Sequence, residues 1–134
     1  ATEDNRCLIV DDKLIAFAPS GLTEYNIPNS VTSIGQDAFK GCSGLSSISI
    51  PNSVTSFGNY AFYGCSGLTS ISIPNSVTAI GNGSFSGCTR LSAFYGKLAS
   101  ADNRCLIING SLVAFAPSGL SKYAIPNSVT TIGN

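Results

Sequence analysis

The strongest constraint in this sequence is a fixed internal period. Ile-Pro-Asn-Ser-Val-Thr begins at Ile27, Ile50, Ile73 and Ile125, and the first three copies lie 23 residues apart. Phe39, Phe62 and Phe85 keep the same interval, as do the Gly-Cys pairs that end in Cys42, Cys65 and Cys88. Each pair leads into Leu-x-x-Ile-x-Ile or a variant of it: Leu45-Ile48-Ile50, Leu68-Ile71-Ile73 and Leu91-Phe94-Gly96. A period of this size means coils that stack, because one such coil cannot hide its apolar side alone.

A longer unit recurs as well. Asp4-Asn5-Arg6-Cys7-Leu8-Ile9 returns as Asp102-Asn103-Arg104-Cys105-Leu106-Ile107, an offset of 98 residues that also relates Ala16-Phe17-Ala18-Pro19-Ser20-Gly21 to Ala114-Phe115-Ala116-Pro117-Ser118-Gly119. The leading leucines Leu22, Leu45, Leu68, Leu91 and Leu120 are separated by three steps of 23 and one of 29. The long unit therefore reads as an enlarged coil of the same stack. The expectation is one solenoid domain over 1–134. Enlarged-coil hairpin segments occupy 1–21 and 97–119, regular repeats fill 22–96, and a truncated repeat starts at 120–134.

Within a coil, Leu-x-x-Ile-x-Ile alternates apolar and polar side chains, as a half-buried strand requires. Pro28, Pro51, Pro74 and Pro126 should end each strand, since proline has no N–H to give the ladder. The Asn-Ser that follows suits a turn, and Val-Thr-x-Ile-Gly reads as a second, shorter extended piece. Gln36 to Lys40 and its copies are expected to form one irregular helical turn that delivers the Phe inward. In the enlarged coil, Asn109-Gly110 lies between two apolar runs, a strong hairpin signal because both turn residues need positive φ. Asp11-Asp12 is the weaker version of the same turn, so a hairpin is expected at both places.

With that register set, residues Ile27 to Leu45 (Ile-Pro-Asn-Ser-Val-Thr-Ser-Ile-Gly-Gln-Asp-Ala-Phe-Lys-Gly-Cys-Ser-Gly-Leu) resemble the BspA-like, Treponema-pallidum-type leucine-rich repeat. The resemblance covers essentially the whole chain. It implies a β-rich solenoid, a right-handed leucine-rich-repeat coil of 23-residue repeats. One parallel sheet is expected on the strand face, with short irregular or helical turns opposite and β-hairpins in the enlarged coils. Members of this family are typically secreted or surface-anchored bacterial proteins, several of them implicated in adhesion. The resemblance thus implies an extracellular or cell-surface location and a protein or glycan partner, on host matrix or another cell. This sequence departs from the pattern at Lys97, where proline is expected, and at Gly96, in place of the last strand Ile.

Composition narrows the function further. Only 10% of residues are charged against 43% hydrophobic, and the formal net charge is zero. That balance is the opposite of a disordered chain's. Seven scattered basic residues make no patch for nucleic acid, whose affinity rests on many Lys and Arg contacts to phosphate. No apolar run approaches the roughly 20 residues of a helical membrane span. No charged-then-apolar leader opens the chain at Ala1, so the expectation is a mature or excised segment.

The residue types that carry chemistry elsewhere fall here on structural positions. Cys42, Cys65 and Cys88 recur at the repeat interval, as buried ladder residues would, and Cys7 and Cys105 are the matching pair of the enlarged coils. Zinc sites favour closely spaced cysteines or histidines, and the chain has no histidine. Disulfides between neighbouring coils stay open at this stage, and five cysteines leave at least one unpaired within the chain. Asp11 and Asp12 sit in an expected turn, and the serines occupy repeat positions without a base partner. Gly81-Asn82-Gly83 has no Gly-Lys-Ser/Thr after it, so it is repeat punctuation rather than a phosphate loop. No catalytic, cofactor or metal site is expected.

What remains is a surface. The register turns Thr23, Glu24 and Asn26 outward on the first strand, Ser46, Ser47 and Ser49 on the second, and Thr69, Ser70 and Ser72 on the third. Ser92, Ala93 and Tyr95 follow, then Ser121, Lys122 and Ala124. The candidate binding face is Glu24, Asn26, Ser47, Ser49, Ser70, Ser72, Tyr95 and Lys122, with Tyr95 its only aromatic. Small hydroxyls that merely solvate a sheet are the competing reading. A structural spacer that self-associates end to end is the second functional reading, since solenoid ends need capping.

Overall fold

A computed structural model describes residues 6–120 and 122–133. It contains twelve short strands among those residues: β1 Cys7–Val10, β2 Lys13–Phe17, β3 Glu24–Asn26, β4 Ser33–Ile34, β5 Ser47–Ser49 and β6 Ser56–Phe57 in the first half. The second half has β7 Ser70–Ser72, β8 Ala79–Ile80, β9 Ala93–Tyr95, β10 Cys105–Ile108, β11 Ser111–Phe115 and β12 Thr131–Ile132. Strands one repeat apart run parallel, Ser33 opposite Ser56 and Ser56 opposite Ala79, and no helix forms among the described residues. The molecule is a β-solenoid of stacked coils, as the period requires.

Both hairpins are present. Asp11 and Asp12 take φ of 50° and 63°, and Asn109 and Gly110 take 51° and 80°, so each pair makes the two-residue turn with positive φ at both positions. Val10 then faces Lys13, and Ile108 faces Ser111. The first hairpin extends the solenoid's longest sheet, ordered β1-β2-β4-β6-β8, while the second builds the separate sheet β10-β11-β12.

The strand face differs from the single sheet expected for it. It holds two separate ladders, β3-β5 and β7-β9, with no pairing between β5 and β7. The repeat sets Ser47 against Ser70 and Ser49 against Ser72 across that seam.

The turns opposite are irregular rather than helical. Tight-turn bonds recur within each coil, such as Cys42 N–H to Phe39 O and Cys65 N–H to Phe62 O at 3.2 Å, and they alternate with bonds between coils. Phe39 N–H donates to Ala61 O at 2.8 Å, and Phe62 N–H to Ser84 O at 2.9 Å. Positive φ at Asp37, Tyr60 and Gly83 turns each coil out of a helical path.

The core is a set of columns. Phe39, Phe62 and Phe85 stack with ring centroids 5.2 and 5.3 Å apart, beside Leu45, Leu68 and Leu91 and beside Val31, Val54 and Val77, all buried. Gly96 departs from the strand Ile for a steric reason. Its φ is 119°, and a Cβ there would lie 2.3 Å from the Ile73 carbonyl oxygen. Only glycine lets the last regular coil approach so closely while the chain leaves for the enlarged coil.

Phe62 is fully buried between two other Phe rings. Truncating it to alanine should cost ~3–5 kcal/mol, as large-to-small changes in a packed core do. Urea unfolding of Phe62→Ala beside the parent chain checks this, and coincident midpoints would refute the column assignment.

Candidate binding face

The three-residue strands of the strand face place alternate side chains inside and outside. Tyr25, Ile48, Ile71 and Phe94 are the buried centres of β3, β5, β7 and β9. The residues on either side point outward. Glu24 and Asn26 face Ser47 and Ser49 in one ladder, and Ser70 and Ser72 face Ala93 and Tyr95 in the other. Seven of the eight candidate residues therefore share one face, with Asn26–Ser49 and Ser72–Tyr95 forming one row across it.

Lys122 is the exception. It is exposed, but no strand forms around it. The enlarged coil takes its place: Phe94 N–H donates to Asn103 O at 2.7 Å, so the outer edge of β9 is already occupied. Lys122 instead borders a hollow with Phe115, Leu120 and Tyr123. Ser121 lies outside the described residues.

The outward hydroxyls divide into two kinds. Ser46 and Ser92 donate to the carbonyls of Thr23 and Thr69 in the preceding coil, each at 3.1 Å. Ser47, Ser49, Ser70 and Ser72 make no such bond among the described residues. They line the seam between β5 and β7, where a recess of about 240 Å³ opens. One backbone bond bridges the seam, Thr69 N–H to Ser46 O at 3.5 Å. Ile27 N–H donates to Ser49 O and Ile73 N–H to Tyr95 O, but the equivalent Ile50 N–H finds no acceptor among the described residues. Tyr95 stands at the margin of this face, 47% exposed.

One surface cluster escaped the sequence reading. Tyr60 and Tyr63 are exposed on the turn side, their rings 5.8 Å apart edge to face, with Lys40 Nζ 5.5 Å from the Tyr63 centroid. The signal was available in the repeat itself. The positions equivalent to Tyr60 are Asp37 and Gly83, and those equivalent to Tyr63 are Lys40 and Ser86, so neither carries a core residue.

The five cysteines are buried, and no disulfide joins them among the described residues. Cys65 Sγ donates to Phe39 O at 3.1 Å and Cys88 Sγ to Phe62 O at 3.2 Å, so each thiol serves the carbonyl of the coil before it. Hydrogen bonding to Cys42 and then burial raise the Cys65 thiol, and burial pushes Cys88 up to about 11. In the enlarged coil, Cys105 Sγ donates to the Tyr123 hydroxyl, which donates to Asp102 at 2.8 Å. Hydrogen bonds from Ser100 and Tyr123 hold the Asp102 carboxyl below its ordinary range.

The BspA type leucine-rich repeat model matches residues 13–134 in six copies. This chain belongs to that family. Among solved structures it is similar to a leucine-rich cell surface protein of Faecalibacterium prausnitzii A2-165, at 27% identity and a TM-score of 0.64, covering 84% of this chain and 38% of that one. It is also similar in fold to a leucine-rich repeat protein of Eubacterium ventriosum ATCC 27560, at 22% identity and a TM-score of 0.65, covering 98% of this chain and 49% of that one. The BspA-type chain described here thus spans less than half the length of either. No curated protein matches it. No described helix is long and apolar enough to cross a membrane.

The raised Cys88 thiol makes a prediction about this repeat's core. An unfolded thiol ionises near ~8.5, so the folded state alone favours the neutral form above that pH. Stability from this group is complete below about pH 8.5 and is lost as pH rises through about 11. Urea midpoints at pH 7.5 and 10.5 should show the fall, and Cys88→Ala should reduce it. An identical pH dependence in both chains would contradict a buried neutral thiol.

Proposed function

We propose that this chain is a non-catalytic recognition segment of a bacterial cell-surface protein, binding a protein or glycan partner along its strand face. The carrying observation is the seam between β5 and β7. There Ser47, Ser49, Ser70 and Ser72 surround a recess with hydroxyls not committed to the fold, in a chain whose other outward hydroxyls are partly used between coils. Repeat solenoids offer extended binding surfaces of this kind. Tyr95 supplies the aromatic anchor at the margin, a residue type enriched where binding energy concentrates. The cell-surface description of the Faecalibacterium prausnitzii protein supports the location.

The test is binding of the purified chain to arrayed extracellular matrix proteins and glycans. Ser49→Arg/Ser72→Arg adds bulk and charge to the seam without touching the core, and should abolish binding. Tyr95→Ala should weaken it at least tenfold, about 1.4 kcal/mol. Equal binding by parent and double variant would move the site off this face, and the Tyr60–Tyr63 cluster would be the next surface to change.

One observation favours a second reading, a spacer that associates end to end. Leu120, Ile125 and Ile132 are 39, 48 and 65% exposed, whereas Ile27 and Ile34, the counterparts of the last two, are 4 and 1% exposed. That apolar ladder is what a further coil would cover. Sedimentation that rises with concentration, together with no ligand on any array, would favour the spacer over the recognition segment.

A further inference from the structure

The turn side of the solenoid carries a one-way hydrogen-bond ladder. Asp37, Phe39 and Gly41 donate their N–H groups to the carbonyls of Asn59, Ala61 and Tyr63 in the next coil, at 3.1, 2.8 and 2.7 Å. Tyr60, Phe62 and Gly64 repeat this toward Asn82, Ser84 and Ser86, at 2.9, 2.9 and 2.8 Å. The first and third residue of each set have positive φ: Asp37 and Gly41, Tyr60 and Gly64, Gly83 and Gly87. Every other N–H group of each turn therefore points the same way, toward the next coil, and aligned peptide N–H groups of this kind attract acceptors and anions.

The third set has nothing to donate to. Gly83, Phe85 and Gly87 occupy the equivalent positions, yet their N–H groups find no acceptor among the described residues. Gly83 and Phe85 are buried. Where the next regular coil would bring its carbonyls, the enlarged coil brings β11 instead. A cavity of about 230 Å³ separates Gly83–Ser86 from residues 112–115 of that strand. No charged side chain lines it, and Leu112, Val113 and Phe115 give it an apolar wall. Buried N–H groups without partners are costly, and this set also sits at the donor end of three aligned rows of peptide dipoles.

We infer that this cavity is a binding site for the terminal carboxylate of a polypeptide whose last residue is small and apolar. The occupant follows from the ladder. In the two coils before it, these same donors hold backbone carbonyl oxygens, and a chain terminus offers such carbonyls plus a negative charge to meet the dipoles. Backbone capture of a C-terminal carboxylate is an established mode of peptide recognition. The cavity volume suits about two small residues, and its apolar wall suits an alanine or valine side chain. The site is on the turn side and does not depend on the strand-face reading.

The probe is the peptide acid N-acetyl-Ala-Val, titrated into ¹⁵N-labelled chain, with its C-terminal amide and with acetate as parallel arms. Saturable shifts should centre on the Gly83 and Phe85 amides, with the peptide amide at least tenfold weaker and acetate weaker still. Ala114→Leu, which fills the cavity from β11, should abolish the shifts while its other amide resonances stay in place. Acid and amide binding equally well would overturn the carboxylate, and acetate matching the peptide would overturn the peptide. Shifts elsewhere, or none at all in a folded chain, would overturn the site.

Discussion

Each coil of this solenoid satisfies its backbone through its neighbours. A coil of 23 residues has no helix, so beyond tight-turn bonds such as Val31 N–H to Pro28 O and Cys42 N–H to Phe39 O its N–H and C=O groups meet partners above and below. Lys13 and Leu14 meet Ser33 and Ile34, which meet Ser56 and Phe57, which meet Ala79 and Ile80. The turn side adds its own one-way ladder through Phe39, Phe62 and their flanking residues. The apolar columns follow from that constraint. Once backbones stack at strand spacing, identical positions superimpose, and Phe39, Phe62 and Phe85 come within 5.2 and 5.3 Å of each other. Hydrophobic burial then stabilises what the hydrogen bonds align.

The same constraint explains where this fold leaves its regular path. Two interruptions occur among the described residues, the seam between β5 and β7 and the gap between Gly83–Ser86 and β11. Both leave backbone donors facing open space, at Ile50 in one and at Gly83 and Phe85 in the other. A structural repeat has every reason to close such gaps. Places where it does not are where a partner could supply the missing acceptors, and both proposed sites follow from that logic. The thiols point the other way, each buried and two of them bonded to a carbonyl of the preceding coil, which makes them part of the stack.

Much of this was legible in the residues. Recurrence of Phe39 at Phe62 and Phe85, and of Cys42 at Cys65 and Cys88, fixed the coil and its inward positions, because identical spacing puts identical residues at one height. Asn109-Gly110 marked a hairpin because positive φ at two successive residues is a local demand that few dipeptides meet. Even Asp11-Asp12, a weaker signal, reads correctly once its copy is known. The seam was not legible, since Ser47–Ser49 and Ser70–Ser72 are identical and local pattern predicts a ladder between them. Whether two strands close depends on the whole coil's path. Lys122 sits elsewhere for a related reason: Asn103, on the intervening enlarged coil, takes the edge of β9 to which Lys122 was assigned. Tyr60 and Tyr63 were missed because attention to what repeats passes over positions that vary.

Amide hydrogen exchange tests the central claim directly, since it reads the inter-coil ladder one donor at a time. Phe39 and Phe62 should exchange slowly, being buried and bonded to the next coil. Gly83 and Phe85, equally buried but without an acceptor, should exchange much faster, as should Ile50 beside Ile27 and Ile73. Uniform protection across all three coils would contradict the account, because it would mean the ladder is closed where the two sites are proposed.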